Sequence, residues 1–141
     1  FSSLTFRITP AHAAQVERIL TQINLLERAR DEARVLSHGE KQWLEIGLVV
    51  ASDPQLLLLD EPTTGMTREE TSATARLIRD IAKTRSVMVV EHDMSFVRQI
   101  ASKITVLHQG SKLAEGSVRE IENNPKVAEV YLGKQKISAA P

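Results

Sequence analysis

Asp60 and Glu61 close the apolar run Leu56-Leu-Leu-Leu59, and His92 follows a second apolar run, Val87-Met-Val-Val90. Adjacent carboxylates on an extended chain point to opposite sides. One can therefore hold a divalent cation through its waters while the other polarises a water molecule. Asp60 suits Mg²⁺ and Glu61 suits the attacking water, and general-base catalysis of this kind contributes roughly 10²–10⁴-fold to a hydrolysis. An imidazole at position 92 could donate a hydrogen bond to a phosphoryl oxygen and orient the same water. The plain structural alternatives are that Asp60-Glu-Pro62 ends a strand and enters a turn, and that His92-Asp93 is a solvated or helix-capping pair.

A third group precedes these two, in the string Leu36-Ser-His-Gly-Glu40. Ser37 and Glu40 have the S-x-x-E spacing of a capping box. The free amides and dipole of a helix N-terminus favour a phosphate, and Gly39 would let the backbone approach it closely. Capping and phosphate binding are compatible, because a serine hydroxyl both donates and accepts. Each string is weak or moderate by itself, and the three in this order make a specific signal. A fourth string is missing. No G-x-x-x-x-G-K-[S/T] phosphate loop occurs in the 141 residues, and the pair Gly133-Lys134 has Ala128 and Gln135 where the first glycine and the hydroxyl should be. The chain shows half of a nucleotide site.

The elements that must position these residues alternate between helix and strand. Thr9-Pro10 offers an N-cap with proline at the first helical position, and Val16, Ile19, Leu20 and Ile23 then recur with helical spacing. A second helix opens at Ser37 with Trp43, Ile46, Gly47 and Val50 as its buried stripe, and Pro54 closes it. Leu56 to Leu59 reads as a strand buried on both faces, as in a parallel sheet. Thr67 and Glu70 form another capping box, before a helix that buries Leu77, Ile78 and Ile81 and leads to a strand over 86–90. Strand, helix, strand implies a right-handed crossover, which brings His92 to the same sheet edge as Glu61. Phe96, Val97, Ile100 and Ala101 fit a short helix. Ile104 to Leu107 and Lys112 to Ala114 flank a Gln109-Gly-Ser111 turn. Ser117 with Glu120, and Asn124 with Pro125, open two small terminal helices, the last ending near Gly133, with a frayed tail over 134–141.

Composition sets modest bounds. Eighteen basic residues balance eighteen acidic ones, so no net field points to a nucleic-acid partner or a membrane surface. The absence of cysteine rules out disulfides and thiolate metal sites and fits the cytosol. The apolar stretches are too short to cross a bilayer, so any membrane link must come through partners. The chain starts at Phe1 with no initiator methionine or secretory leader and reads as a truncated or processed product.

On these residues the chain resembles the C-terminal half of an ATP-binding-cassette (ABC) ATPase. Leu36-Ser-His-Gly-Glu40 is similar to that family's LSGGQ signature, Leu56 to Asp60 to its Walker B strand, Glu61 to its catalytic glutamate and His92 to its switch histidine. The likeness continues through Ile104-Thr-Val-Leu-His-Gln-Gly-Ser-Lys-Leu-Ala-Glu-Gly116 and covers almost the whole chain. His38, the run Lys41-Gln-Trp-Leu-Glu-Ile-Gly47, Glu91-His-Asp-Met94 and Val130-Tyr-Leu-Gly133 resemble the ATPases of urea and branched-chain amino-acid importers, the urea type more closely. Departures are His38 for a signature glycine, Glu40 for a glutamine, and Thr67 where the wider family has an aspartate.

The resemblance implies an α/β fold: a partial P-loop NTPase (RecA-like) parallel sheet flanked by helices, with the phosphate-loop half absent. Residues 1–36 would be part of the helical subdomain, and 37–133 the C-terminal part of the ATPase core. The strand leading into the phosphate loop is expected between the strand ending at Val90 and the one ending at Leu107. The resemblance also implies ATP and Mg²⁺ as cofactors. Glu61 and His92 would be catalytic and Asp60 would hold Mg²⁺ through water, while Ser37, Gly39 and Glu40 would face the ATP of a second ATPase subunit. Partners would be that subunit, in a homo- or heterodimer, and transmembrane permease subunits, with no nucleic acid; the location would be the cytoplasmic face of the cell membrane. The parent would hydrolyse ATP and this chain alone would not. Two alternatives are an inactive remnant regulating an intact ATPase, and an ABC protein outside transport.

Overall fold

Local hydrogen bonds set where the first helices begin. In the computed structural model, which describes residues 9–137, the Thr9 hydroxyl accepts the amide of His12 at 3.3 Å and opens α1 (Pro10–Gln22). Ser37 opens α2 (His38–Ala51) in the same way: its hydroxyl accepts the Glu40 amide at 3.2 Å, and the Glu40 carboxylate accepts the Ser37 amide at 2.7 Å. These reciprocal bonds satisfy amides that have no partner inside the helix. The two helices meet where Gly47 leaves room for Ile19 and Ile23, since a Cβ there would lie 2.6 Å from Ile23 Cδ1. Val16, which recurs with the same helical spacing, stays exposed.

β1 (Leu56–Asp60) and β2 (Ser86–Val90) run parallel, with Leu56 opposite Ser86 and Asp60 opposite Val90. Between them α3 (Arg68–Ala82), capped by Thr67 and Glu70, buries Leu77, Ile78 and Ile81. Ile23, Leu25, Leu36, Ile46, Val50, Leu57, Leu77 and Ile81 form one core, so the segments on either side of Leu36 share it. Trp43 packs on that core and donates its indole N–H to the hydroxyl of buried Thr74 at 2.8 Å.

The expectation that β1 is buried on both faces is corrected. Leu57 is fully buried, but Leu58 is 67% exposed, and Leu56, Met88 and Val90 are exposed with it. A parallel strand is apolar on both faces when helices cover both sides. Here the core helices lie on the Leu57 side, and no described element within residues 1–96 covers the other.

Two compact units divide the chain, residues 1–96 and 97–141. The division falls within the short helix α4 (Met94–Ile100). In the second unit β3 (Ile104–His108) pairs antiparallel with β4 (Ser111–Gly116). The turn between them places Gln109 and Gly110 at φ 48° and 74°, the left-handed pair that a tight two-residue hairpin needs. The described strands thus make two separate two-stranded sheets, and β2 and β3 do not pair. Ser117 and Glu120 cap α5 (Val118–Glu122). Asn124 opens α6 (Pro125–Ile137), its side-chain oxygen accepting the Lys126 amide at 3.0 Å. This helix runs past the end expected near Gly133, as a glycine inside a helix costs only about 1 kcal/mol. Residues 138–141 of the tail lie outside the described residues.

Candidate functional site

The ends of β1 and β2 carry the acidic and imidazole groups that the sequence singled out. Hydrogen bonding continues one residue past the strands, where the Glu61 amide donates to the Val90 carbonyl at 2.9 Å. Glu61 itself has φ 44°, a left-handed conformation that costs a side-chain-bearing residue roughly 1–3 kcal/mol when the surroundings impose it. That bend aims the side chain across the sheet edge. Glu61 Oε1 lies 3.2 Å from Nδ1 of His92, and its other oxygen accepts the Thr64 hydroxyl at 3.2 Å. A carboxylate only accepts, so a hydrogen bond between the two places the proton on Nδ1. The Asp60 carboxylate, exposed at the end of β1, makes no hydrogen bond or ion pair among the described residues.

His92 starts a turn whose next carboxylate caps α4. Asp93 Oδ1 accepts both the amide and the hydroxyl of Ser95 at 2.8 Å. The hydroxyl bond chiefly, then the amides of Ser95 and Phe96 and the nearby His92, hold the Asp93 carboxyl below its ordinary range. Such bonds favour the charged form over the neutral one.

Ser37, Gly39 and Glu40 occupy the first turn of α2, as expected, yet they do not touch Glu61 or His92 directly. Two other residues make the link. His38 Nε2 lies 2.9 Å from the carbonyl oxygen of Thr64, in the loop that follows Glu61. Glu70 has a double role: its Oε2 accepts the Thr67 amide at 2.9 Å, while its Oε1 accepts the Ser37 hydroxyl at 3.4 Å. The Thr67 amide first, with the Thr67 and Ser37 hydroxyls and the His38 ring, lowers the Glu70 pKa. Gly39 does permit a close approach, and its occupant is this carboxylate: a Cβ at position 39 would lie 2.4 Å from Glu70 Oε1.

Glu70 and Glu91 are the site residues that the sequence reading did not single out. Glu70 was legible only as a cap, since its second contact lies 33 positions away. For Glu91 the signal is strand alternation, because a carboxylate one step beyond Val90 in an alternating strand points to the core side.

A family model described as ABC transporter matches residues 1–64, and one described as branched-chain amino acid ATP-binding cassette transporter matches residues 111–136. The chain is 38% identical over 117 residues to the high-affinity branched-chain amino acid transport ATP-binding protein LivG of Salmonella typhimurium, covering 82% of this chain and 46% of that protein. It is 39% identical over 120 residues to BraF of Pseudomonas aeruginosa, a protein of the same description, with the same two coverages. The chain thus spans about half the length of the curated relatives it matches. Among solved structures it is similar to an ATP-binding cassette of an ABC transporter in its ADP conformation, with a TM-score of 0.79 and 23% identity over 93% of this chain and 54% of that one. It is also similar to cbiO1 from Clostridium perfringens, with a TM-score of 0.77 and 20% identity over 96% of this chain and 56% of that one. These likenesses carry the fold, a parallel sheet with flanking helices that forms part of a P-loop NTPase. With the signature string at the start of α2 and Asp60-Glu61 closing a parallel strand beside His92, the chain belongs to the ABC transporter ATPase family.

Proposed function

We propose that the chain supplies the hydrolytic edge and the signature surface of an ABC importer ATPase of the branched-chain amino-acid type. The observation that carries this reading is the contact of His92 Nδ1 with Glu61 at the end of two parallel strands. In that arrangement Glu61 orients and deprotonates the attacking water, and His92 fixes the carboxylate that does so. A phosphoryl oxygen only accepts, so the ring can donate to it from Nε2 while Nδ1 serves Glu61 only as the imidazolium. Asp60 fits a water-mediated Mg²⁺ site, being an exposed carboxylate with no described protein partner. Mg²⁺ bound with ATP neutralises charge on the phosphate oxygens, and it is normally held by one or two carboxylates plus those oxygens.

Ser37, Gly39 and Glu40 would face ATP held by a second ATPase subunit, and the pair would act on transmembrane permease subunits from the cytoplasmic side of the membrane. The names of LivG and BraF support amino acids over urea as the cargo. No helix among the described residues is long and apolar enough to cross a membrane, consistent with attachment through a permease. Having no phosphate-loop motif in its 141 residues, the chain by itself binds ATP weakly and hydrolyses none.

Two measurements test this. A tagged chain is expected to co-purify with an ATPase subunit bearing G-x-x-x-x-G-K-[S/T] and with a permease; recovery with ribosomes or DNA-repair proteins instead would overturn the importer reading. Phosphate release by the purified chain should equal that of Glu61→Gln, and release above that control would refute the claim of inactivity alone.

A further inference from the structure

We infer that Glu91 is a positioning residue whose buried carboxylate ties the loop after β1 to the turn after β2 and thereby sets the approach of His92 to Glu61. The side chain of Glu91 is 2% exposed, against 75% for its neighbour His92. Alternation explains the contrast, since Val87 and Val89 are half-buried, Met88 and Val90 are exposed, and Glu91 takes the next inward place. A carboxylate this buried is stable only if its oxygens are satisfied. Both are. Oε1 accepts the Thr63 hydroxyl at 2.5 Å, and Oε2 accepts the amides of His92 at 3.0 Å and Asp93 at 3.4 Å.

The result is a clamp of three consecutive residues. The Val90 carbonyl holds the Glu61 amide, the Glu91 carboxylate holds Thr63, and the His92 ring meets the Glu61 side chain. Of the three, Glu91 alone also grips the main chain that carries the imidazole. Hydrogen bonds to an ionised acceptor are the stronger kind. A glutamine could take the two amides on its oxygen and donate its NH₂ to the Thr63 hydroxyl, so Glu91→Ala, which removes every one of these bonds, is the informative variant. Glu91 Oε2 also lies 3.8 Å from His92 Nδ1, so two carboxylates flank that ring nitrogen, with the Asp93 carboxylate on the adjacent residue.

The meaning of this clamp for hydrolysis rests on the reading of Glu61 and His92 given above; its geometry does not. The test therefore uses the ¹⁵N-labelled 141-residue chain without nucleotide, with His92 ring signals assigned by loss in His92→Gln. At a pH where the ring is neutral, the wild type should show a protonated Nδ1 and a bare Nε2. Glu91→Ala should give the mixed tautomers of a free histidine and speed exchange of the His92 and Asp93 amides by at least about tenfold, while Leu57 and Ile78 amides stay protected. Thr63→Val, which removes one donor and keeps the shape, should shift the ring signals in the same direction by less. Wild-type ring signals and exchange in Glu91→Ala would overturn the inference; if that variant does not fold, unchanged signals in Thr63→Val would overturn it. Failure of the chain to engage ATP or a permease would leave this result standing, and the reverse also holds.

Discussion

The Nε2 of His38 and the carbonyl oxygen of Thr64, 2.9 Å apart, join the first turn of α2 to the loop that follows Glu61. A carbonyl only accepts, so this nitrogen carries a proton. The ring also lies over Gly65, where φ is 75° and a Cβ would come within 3.2 Å of the imidazole. The first turn of α2 and the loop after Glu61 are thereby in direct contact, through the side chain of His38.

His38→Gly is expected to break that contact and speed amide exchange across residues 63–66, at a cost of about 1 kcal/mol for the lost bond with a further fraction for glycine in a helix. Urea unfolding with hydrogen exchange measures both. His38→Gln keeps a donor at a similar reach and should lose less. Equal loss in the two variants would show that the bond contributes nothing.

Gly39→Ala sets two effects against each other. Alanine improves helix propensity by up to about 1 kcal/mol, but its methyl group would overlap the Glu70 carboxylate, which Thr67 and Ser37 hold in place. Overpacking of this kind costs about 1–3 kcal/mol, so net destabilisation is expected. In a Glu70→Ala background the same substitution should become neutral or stabilising. A double-mutant cycle by denaturant melts checks this, and a coupling below about 0.5 kcal/mol would contradict the packing described.

Acid should act on the second unit through Glu115. Hydrogen bonds from Lys103 and then Lys112, with the charges of both, lower its pKa from 4.5 to about 2. A carboxylate lowered on folding contributes stability that is fully present above 4.5 and is lost as pH falls through about 2. NMR signals of β3 and β4 should therefore hold steady well below 4.5 and shift only as pH approaches about 2. Lys103→Ala should move the onset to higher pH. Added salt should do the same, because the three side chains are in contact with solvent. An unchanged onset in Lys103→Ala would remove the ion pair from the account.

Local chemistry was readable in this sequence, and contact between distant segments was not. The capping boxes at Ser37 with Glu40, Thr67 with Glu70 and Ser117 with Glu120 each close within four residues, so their spacing suffices to find them. The pairing of Glu61 with His92 followed from two apolar strands, a crossover and the side of a sheet at which they end. Leu58 was misread because its exposure depends on what packs over β1, which its own residues do not record. Glu91 was passed over for a related reason: Thr63, its partner, is 28 positions away. Val16 shows the same limit on a helix, where periodicity finds a stripe and Gly47 decides which part of it is used.

The left-handed backbone of Glu61 has a consequence for any effort to make this chain sturdier. At φ 44° glycine fits with no Cβ conflict, and asparagine fits better than most residues. A library screened for heat resistance alone would be drawn to replace Glu61 early, trading its carboxylate for a relaxed main chain. The residue most exposed to such optimisation is the one to which the proposed hydrolysis assigns the attacking water, and a screen that reads only melting would discard it without a signal.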